Sequence, residues 1–390
     1  MASGVNVELR KHNKYNRILN LIRNNAGISR ADIKRITGYS TNTVLRGVEH
    51  LIGAGLVTEL GTGKSGGGRP PSLLSVNRNG GLFIGLEFYA EYISCVAVDL
   101  SGEQVYINRT ALNRSLDAAS ILDALKSEIS RAIKTVSPLG TVRGIGLGVP
   151  GQIDRENGVS VLYEHIESWH DVPLKEVIGK QFGLPVYLEN NVRVMALVHK
   201  WLDQQHHDDF LFVCVRSGIA MATVIDGNVY QGKNGMAGEI SHLPVPGGTR
   251  PCVCGRTGCL VAEVSNDAVI DRFRASGGVR PAVMRDFIDA VRAGDAMAVE
   301  ILRLTADHLG FALAYAATVL NPGRIIFWGD LMRAGAPFID ELKARIDAHT
   351  AAAIHRDLAV TCSAWGEELG ALGCAILVLQ RQFGFLESQV

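Results

Sequence analysis

The sequence predicts a two-lobed α/β body behind a small helical head that ends in a two-stranded wing. Three observations carry that expectation: a basic start to the chain against an acidic remainder, helix-spaced apolar residues near the N-terminus, and strand and helix patterns that alternate from residue 81 onward. With 390 residues the chain is long for one domain, and the change of pattern divides it into 1–80 and 81–390.

The head begins with KYNRILNLIRNN, where Tyr15, Ile18, Leu19 and Ile22 recur at helical spacing. In SRADIKRITG, Ser29 caps a second helix, and Asp32, three residues on, completes a capping box; Gly38 supplies a left-handed stop. STNTVLRGVEHLIGAG reads as a third helix with Val44, Leu45, Val48, Leu51 and Ile52 facing inward. Three short helices with a glycine turn before the third are the pattern of a helix-turn-helix. LVTELGTGKSGGGRPPSLLSV then reads as two strands around a basic loop, which completes an N-terminal winged helix-turn-helix domain.

The charge agrees with this reading. Residues 1–80 carry twelve Lys and Arg against four Asp and Glu, a net +8, and the rest of the chain balances it at −8. A basic head on an acidic body suits a polyanionic partner, and the order of elements makes DNA the expected one. Thr41, Asn42, Thr43 and Arg46 lie on the outer face of the third helix near its start, where Asn can pair with adenine and Arg with guanine. In GGGRPP, glycines free the backbone and prolines hold it extended, so Arg69 suits a narrow A·T-rich minor groove. The plainer alternatives are a solvated polar face for the helix and an ordinary linker for the loop.

Hydrophobic content of 47% and charged content of 20% are those of a folded globular protein. No apolar run approaches the roughly 18 residues needed to span a bilayer, and MASGVNVELRKHNK has no apolar core of a signal peptide. The expectation is a cytoplasmic protein with no membrane partner. Of seven cysteines, Cys95, Cys214, Cys362 and Cys374 stand singly in apolar stretches, the usage of a reducing compartment.

In the body, GLFIGLEFYAEYISCVAVDLSGEQVYINRTAL reads as three antiparallel strands, DAASILDALKSEISRAIKTV as an amphipathic helix, and RGIGLGVPG as a buried strand with a bend. LPVYLENN, DFLFVCVRSGIAMATVIDGNVYQG, LNPGRIIFWGD and EELGALGCAILVLQRQF repeat the theme. Two alternating halves imply two lobes with a cleft between them.

HLPVPGGTRPCVCGRTGC, residues 242–259, holds one histidine and three cysteines. Cys252 and Cys254 are one residue apart, Cys259 follows Gly-Arg-Thr-Gly, and His242 precedes Cys252 by ten positions. Three thiolates and one imidazole complete a tetrahedral shell for Zn2+ with no place left for water, which argues for a structural ion. Gly255 and Gly258 permit the turns that aim the sulfurs inward. The alternative is a reduced loop without metal.

SRADIKRITG and GGGRP in the head, and VPGQID, WHDVPL, LENN, GMAGEISH, CVCGRTGC and LNPGRIIFWGD in the body, give nearly the whole chain a resemblance to the ROK family of bacterial sugar kinases and sugar-responsive repressors. The resemblance implies an actin-like, ribonuclease H-like two-lobed ATPase fold and zinc ligation by His242, Cys252, Cys254 and Cys259. It implies that Glu239 binds sugar hydroxyls and that His242 ligates zinc with one ring nitrogen while the other contacts sugar. A head is absent from the family's kinases, so its presence implies the repressor branch.

Departures from the kinase pattern point the same way. Tyr89 and Ala90 replace the glycines of the first phosphate loop and Glu91 its threonine, while the second loop is reduced to Arg216, Ser217 and Gly218. Kinases carry Glu-Asn-Asp, whose aspartate is the base; here the triplet is Glu189-Asn190-Asn191, and an amide binds a hydroxyl without taking its proton. Val261 replaces a sugar-binding glutamate, which suggests a smaller or less hydroxylated ligand, and His165 stands where kinases place an asparagine. The reading is a non-catalytic repressor that needs no ATP. A small carbohydrate effector binds near Asn190, Asn191, Glu239, His242 and His165, and the chain forms a homo-oligomer, dimer or tetramer, on operator DNA. Alternatives are an ATP-dependent sugar kinase with a DNA-binding appendage, control by a partner protein, and a metal-responsive regulator.

Overall fold

Ile18, Leu19 and Ile22 share one face of the first helix, α1 (Asn13–Asn24), and all three are buried. The computed structural model describes residues 13–63, 70–89, 91–113, 117–202, 209–277 and 283–384. Strand β1 (Ile28–Ser29) leads into α2 (Arg30–Thr37), where the capping box forms: Ser29 Oγ accepts from the Asp32 N–H at 3.1 Å and the Asp32 carboxylate accepts from the Ser29 N–H at 3.4 Å. Gly38 ends the helix at φ +70°. Ser40 caps α3 (Thr41–Gly53), which buries Val44, Gly47, Val48 and Leu51. Leu45 departs from the expectation: it is 43% exposed, because 100° of helix per residue carries it off the face that Val44 and Val48 share. The wing strands β2 (Val57–Thr62) and β3 (Ser72–Val76) pair antiparallel, with β1 on the other side of β3.

Two compact units follow from the contacts, one of Met1–Leu202 with Gly366–Val390 and one of Asp203–Trp365. In the first, β4 (Leu82–Phe88), β5 (Tyr92–Asp99) and β6 (Gln104–Ala111) form the expected antiparallel meander. Helix α4 (Ala118–Val136) crosses over to β7 (Val142–Val149), parallel to β4. A small sheet of β8 (Gln152–Asp154), β9 (Val159–Leu162) and β10 (His170–Val172) precedes α5 (Leu174–Phe182), β11 (Val186–Asn190) and α6 (Asn191–Leu202). The main sheet runs β11-β7-β4-β5-β6, with Phe88, Leu125, Ile129 and Trp169 buried against it.

The second unit repeats the order with β12 (Phe210–Val215), β13 (Ile219–Ile225), β14 (Asn228–Tyr230), β15 (Arg324–Gly329) and β16 (Ala359–Cys362), arranged β14-β13-β12-β15-β16. Between β14 and β15 lie α7 (Leu260–Val264), α8 (Asn266–Ala275), α9 (Met284–Arg292) and α10 (Ala296–Leu320), and α11 (Ala336–His349) precedes β16. Phe273, Phe287, Phe327 and Phe338 fill this core. Helix α12 (Leu369–Phe383) belongs to the first unit, and lies so close to its sheet that a Cβ on Gly85 would stand 2.1 Å from the Ala371 carbonyl oxygen. Cys95, Cys214 and Cys374 are buried as expected of lone cysteines, whereas Cys362 on the edge strand β16 is exposed. Among the described residues no helix is long and apolar enough to cross a membrane.

Candidate functional site

Helix α3 presents Thr41, Asn42 and Arg46 to solvent, while Thr43 is half-buried and its hydroxyl lies 2.9 Å from Ser40 Oγ. The Ser40 and Thr43 hydroxyls thus serve the helix start, and Thr41, Asn42 and Arg46 remain outward on its first turns. Arg69 lies outside the described residues. Residues up to 80 are tied to those that follow by Arg143, which donates to Gly80 O at 2.6 Å, and by Arg78, which pairs with Asp99 at 2.6 Å and with Glu103, while Asn77 Nδ2 donates back within the head to Gly55 O at 2.8 Å.

Within the first unit, β11 hands its last residue to α6 at Glu189, Asn190 and Asn191. Glu189 is buried, yet its carboxylate is compensated: it accepts from the Asn190 N–H at 3.0 Å, from Arg155 at 3.2 Å and from Arg193 at 3.4 Å. Asn190 Oδ1 accepts from the Val192 N–H at 3.0 Å. Asn191, 5% exposed, accepts from the same N–H at 2.9 Å and donates through Nδ2 to the Tyr89 hydroxyl at 2.7 Å. Both ends of the Asn191 amide are thus engaged within the chain, and an amide keeps no basic lone pair for a proton. Tyr89 closes the turn after β4, its N–H donating to Tyr92 O at 2.9 Å and its ring 5.2 Å from that of Tyr92. A phosphate loop needs bare backbone at this turn; a phenol stands there instead. His165 is exposed between β9 and β10, its ring 5.2 Å from Tyr163.

In the second unit, Gly238 at φ +90° lies so close to β13 that a Cβ would sit 1.7 Å from Met221 O. No other residue fits, and the tight fit starts the turn bearing Glu239, exposed, and His242, half-buried. From His242 the chain forms a hairpin-like loop in which Leu260 N–H donates to Leu243 O and Val245 N–H to Gly258 O, at 2.8 and 2.9 Å. These bonds bring the four predicted ligands together: their donor atoms all lie within 4.8 Å of one another. Cys254 and Cys259 Sγ are 3.6 Å apart, and Cys252 Sγ is 3.5 Å from His242 Nδ1. A tetrahedral zinc shell asks for about 3.8 Å between sulfurs and about 3.6 Å from sulfur to nitrogen, so the cluster fits such an ion, with Nδ1 as the histidine donor. Hydrogen bonds from Arg256 hold the exposed Cys254 thiol down to about 6, and burial pushes Cys259 up to about 11.

Glu263, which no motif in the sequence singles out, supports this loop from α7. Its buried carboxylate accepts from the Thr249 and Arg250 N–H groups at 2.7 and 2.8 Å and from Arg272 at 2.6 Å. The available signal is a lone acid two residues beyond Val261, which itself packs partly buried against the core. In the other turn, the Arg216 guanidinium lies over the Trp328 ring at 4.9 Å, and the Arg216 N–H donates to Gly218 O at 2.8 Å.

Comparison with known proteins places this architecture. The ROK family matches residues 83–381. A candidate xylose repressor of Caldicellulosiruptor sp. (strain Rt8B.4) is 31% identical over 94% of this chain and 96% of its own. A glucokinase of Halalkalibacterium halodurans is 31% identical over 69% of this chain and 84% of its own. The crystal structure of a ROK family transcriptional regulator, a homologue of the Escherichia coli MLC protein, superposes with a TM-score of 0.85 at 25% identity, covering 97% of this chain and 98% of that one. Repressor relatives match head and body together, whereas the glucokinase covers a smaller share. The fold is the actin-like one of that family with a helical head before it, and this chain is a member of the ROK family.

Proposed function

We infer that the chain is a sugar-responsive, DNA-binding transcriptional repressor that binds its sugar without phosphorylating it. The observation that carries the second half is the Asn191–Tyr89 bond: an amide stands where the kinases place their base, and its partner is a phenol where they place a phosphate loop. The head-to-tail match to a repressor supports the first half.

The division into a DNA-binding segment at 1–80 and a sugar-binding body at 81–390 follows, with Thr41, Asn42, Thr43, Arg46 and Arg69 as DNA contacts and Asn190, Asn191, Glu239, His242 and His165 as sugar contacts. The relative's name makes D-xylose the first effector to try. A pentose lacks the hydroxymethyl arm of a hexose, which suits the loss of a carboxylate at Val261. Zinc at His242, Cys252, Cys254 and Cys259 closes the loop 242–259 and turns the remaining ring nitrogen of His242 toward a ligand. Two copies of the chain present two heads to half-sites about one helical turn apart, and the sugar lowers affinity by changing how the heads are presented.

The test is a titration. Fluorescence anisotropy of a labelled duplex, selected from random sequence by the full chain, is followed as D-xylose and then other pentoses and hexoses are added. DNA affinity is expected to fall about tenfold or more with the effector, with no requirement for ATP. Affinity unmoved by every sugar refutes the reading.

A further inference from the structure

Helix α6 begins at Asn191 and ends at Leu202, with no Gly or Pro inside it, so a stiff rod of about 18 Å leaves the candidate sugar residues. Its far end lies against the head. There the Trp201 ring, 5% exposed, carries the Arg23 guanidinium of α1 on its face, 3.7 Å from the centroid. Arg23 is half-buried there, its guanidinium also donating to Asn20 at 3.4 Å, and burial lowers it to about 10. Gly102, at φ +93°, touches the same indole: a Cβ there would stand 2.9 Å from Cζ2. Gly102 belongs to the β5–β6 turn whose acids, Asp99 and Glu103, hold Arg78 at the exit from the head. Trp201 therefore touches both the first helix of the head and the turn that anchors its last residues. Along its length α6 is clamped to α12, where the Val194 carbonyl oxygen lies 2.0 Å from the position of a Cβ on Gly373.

We propose that Trp201 and Arg23 are positioning residues through which α6 carries the state of the Asn190–Asn191 end to the DNA-reading head. A ligand that draws on the first turn of α6 moves the helix as a unit, since its interior has no weak point at which to absorb the shift. At the other end the movement changes the Trp201–Arg23 stack and with it the orientation of α1, against which α3 packs. The sugar input rests on the function inferred above; the mechanical link does not, and the two are tested separately.

The link is read without sugar, in the full chain, by anisotropy of the selected duplex with Asn191→Ala, Trp201→Ala and the double variant. If α6 transmits, the double variant departs from the product of the single fold-changes by more than about threefold, and Trp201→Phe, which keeps an aromatic face, restores most of that coupling. A merely structural Trp201 lowers Tm and leaves the two effects multiplicative to within threefold, which overturns the proposal. Should Trp201→Ala fail to fold, Gly102→Ala displaces the indole from the other side and replaces it in the same cycle. A second arm adds D-xylose: Trp201→Ala is expected to bind it within about threefold of wild type by calorimetry, yet to lose most of the sugar-driven fall in DNA affinity. Full retention of that fall also overturns the link. A wild-type chain that binds no D-xylose refutes the effector, and the link then stands or falls on the sugar-free cycle.

Discussion

The two units share one strand order and differ in the turn that follows its first strand. Each has a three-stranded antiparallel meander, then two strands added parallel on the other side of the first. After β4 the turn is filled by Tyr89, tied to Asn191; after β12 it is the short Arg216–Gly218 turn, with the arginine laid on Trp328. One topology thus carries two different turns, the first closed by a phenol and the second retaining Gly218, around which a Cβ would meet nothing within 4 Å. Both units bury an aromatic cluster, but the first also carries the head, whereas the second carries a loop gathered around three cysteines and a histidine.

The largest expected effect separates the units by that loop. Stripping the metal with a strong chelator, or Cys259→Ser, is expected to lower the melting of the second unit by more than about 10 °C while the first keeps its own transition in calorimetry. A single unchanged transition would mean that the cluster holds no stabilising ion. Trp169→Ala is the counterpart in the first unit. The side chain is fully buried and its Nε1 donates to Ser160 at 2.7 Å, so about 3–5 kcal/mol should be lost there, read as a shifted midpoint in urea.

Tyr89→Phe sharpens the comparison at the turn itself. It removes the partner of Asn191 and keeps the ring, at a cost of about 1 kcal/mol by chemical denaturation; no change would show that the bond contributes nothing. Smallest is Asp32→Asn in the head, at about 0.5–1 kcal/mol near neutral pH. Hydrogen bonds from Ser29, then Arg35, lower the Asp32 carboxyl in the folded state. Its contribution is therefore present above the unfolded carboxylate value and is lost as pH falls through the folded one. Wild-type and variant stabilities should converge in acid; a constant gap would assign the loss to something other than charge.

Much of this is legible from local pattern. The capping box of Ser29 and Asp32, the stop at Gly38, the meander from residue 82 and the gathering of His242, Cys252, Cys254 and Cys259 each depend on residues close together in the chain, and each forms as expected. Leu45 falls outside the buried face because periodicity sets a face only to within about one residue step. The contacts that join distant parts of the chain are invisible for a different reason. Tyr89 meets Asn191 across 102 positions, and Arg23 meets Trp201 across an even longer stretch; no spacing rule reaches that far. Glu263 escapes notice because an acid on a short helix reads as solvated until the loop that it holds is seen above it.

On the function inferred above, sugar recognition outlived phosphotransfer on this fold. Calorimetric titration of the full chain with D-xylose and with magnesium ATP, followed by an assay for ADP, tests that statement most directly. Heat of binding is expected for the sugar and none for the nucleotide, with no ADP above background. Nucleotide binding accompanied by ADP in step with sugar phosphate would contradict it.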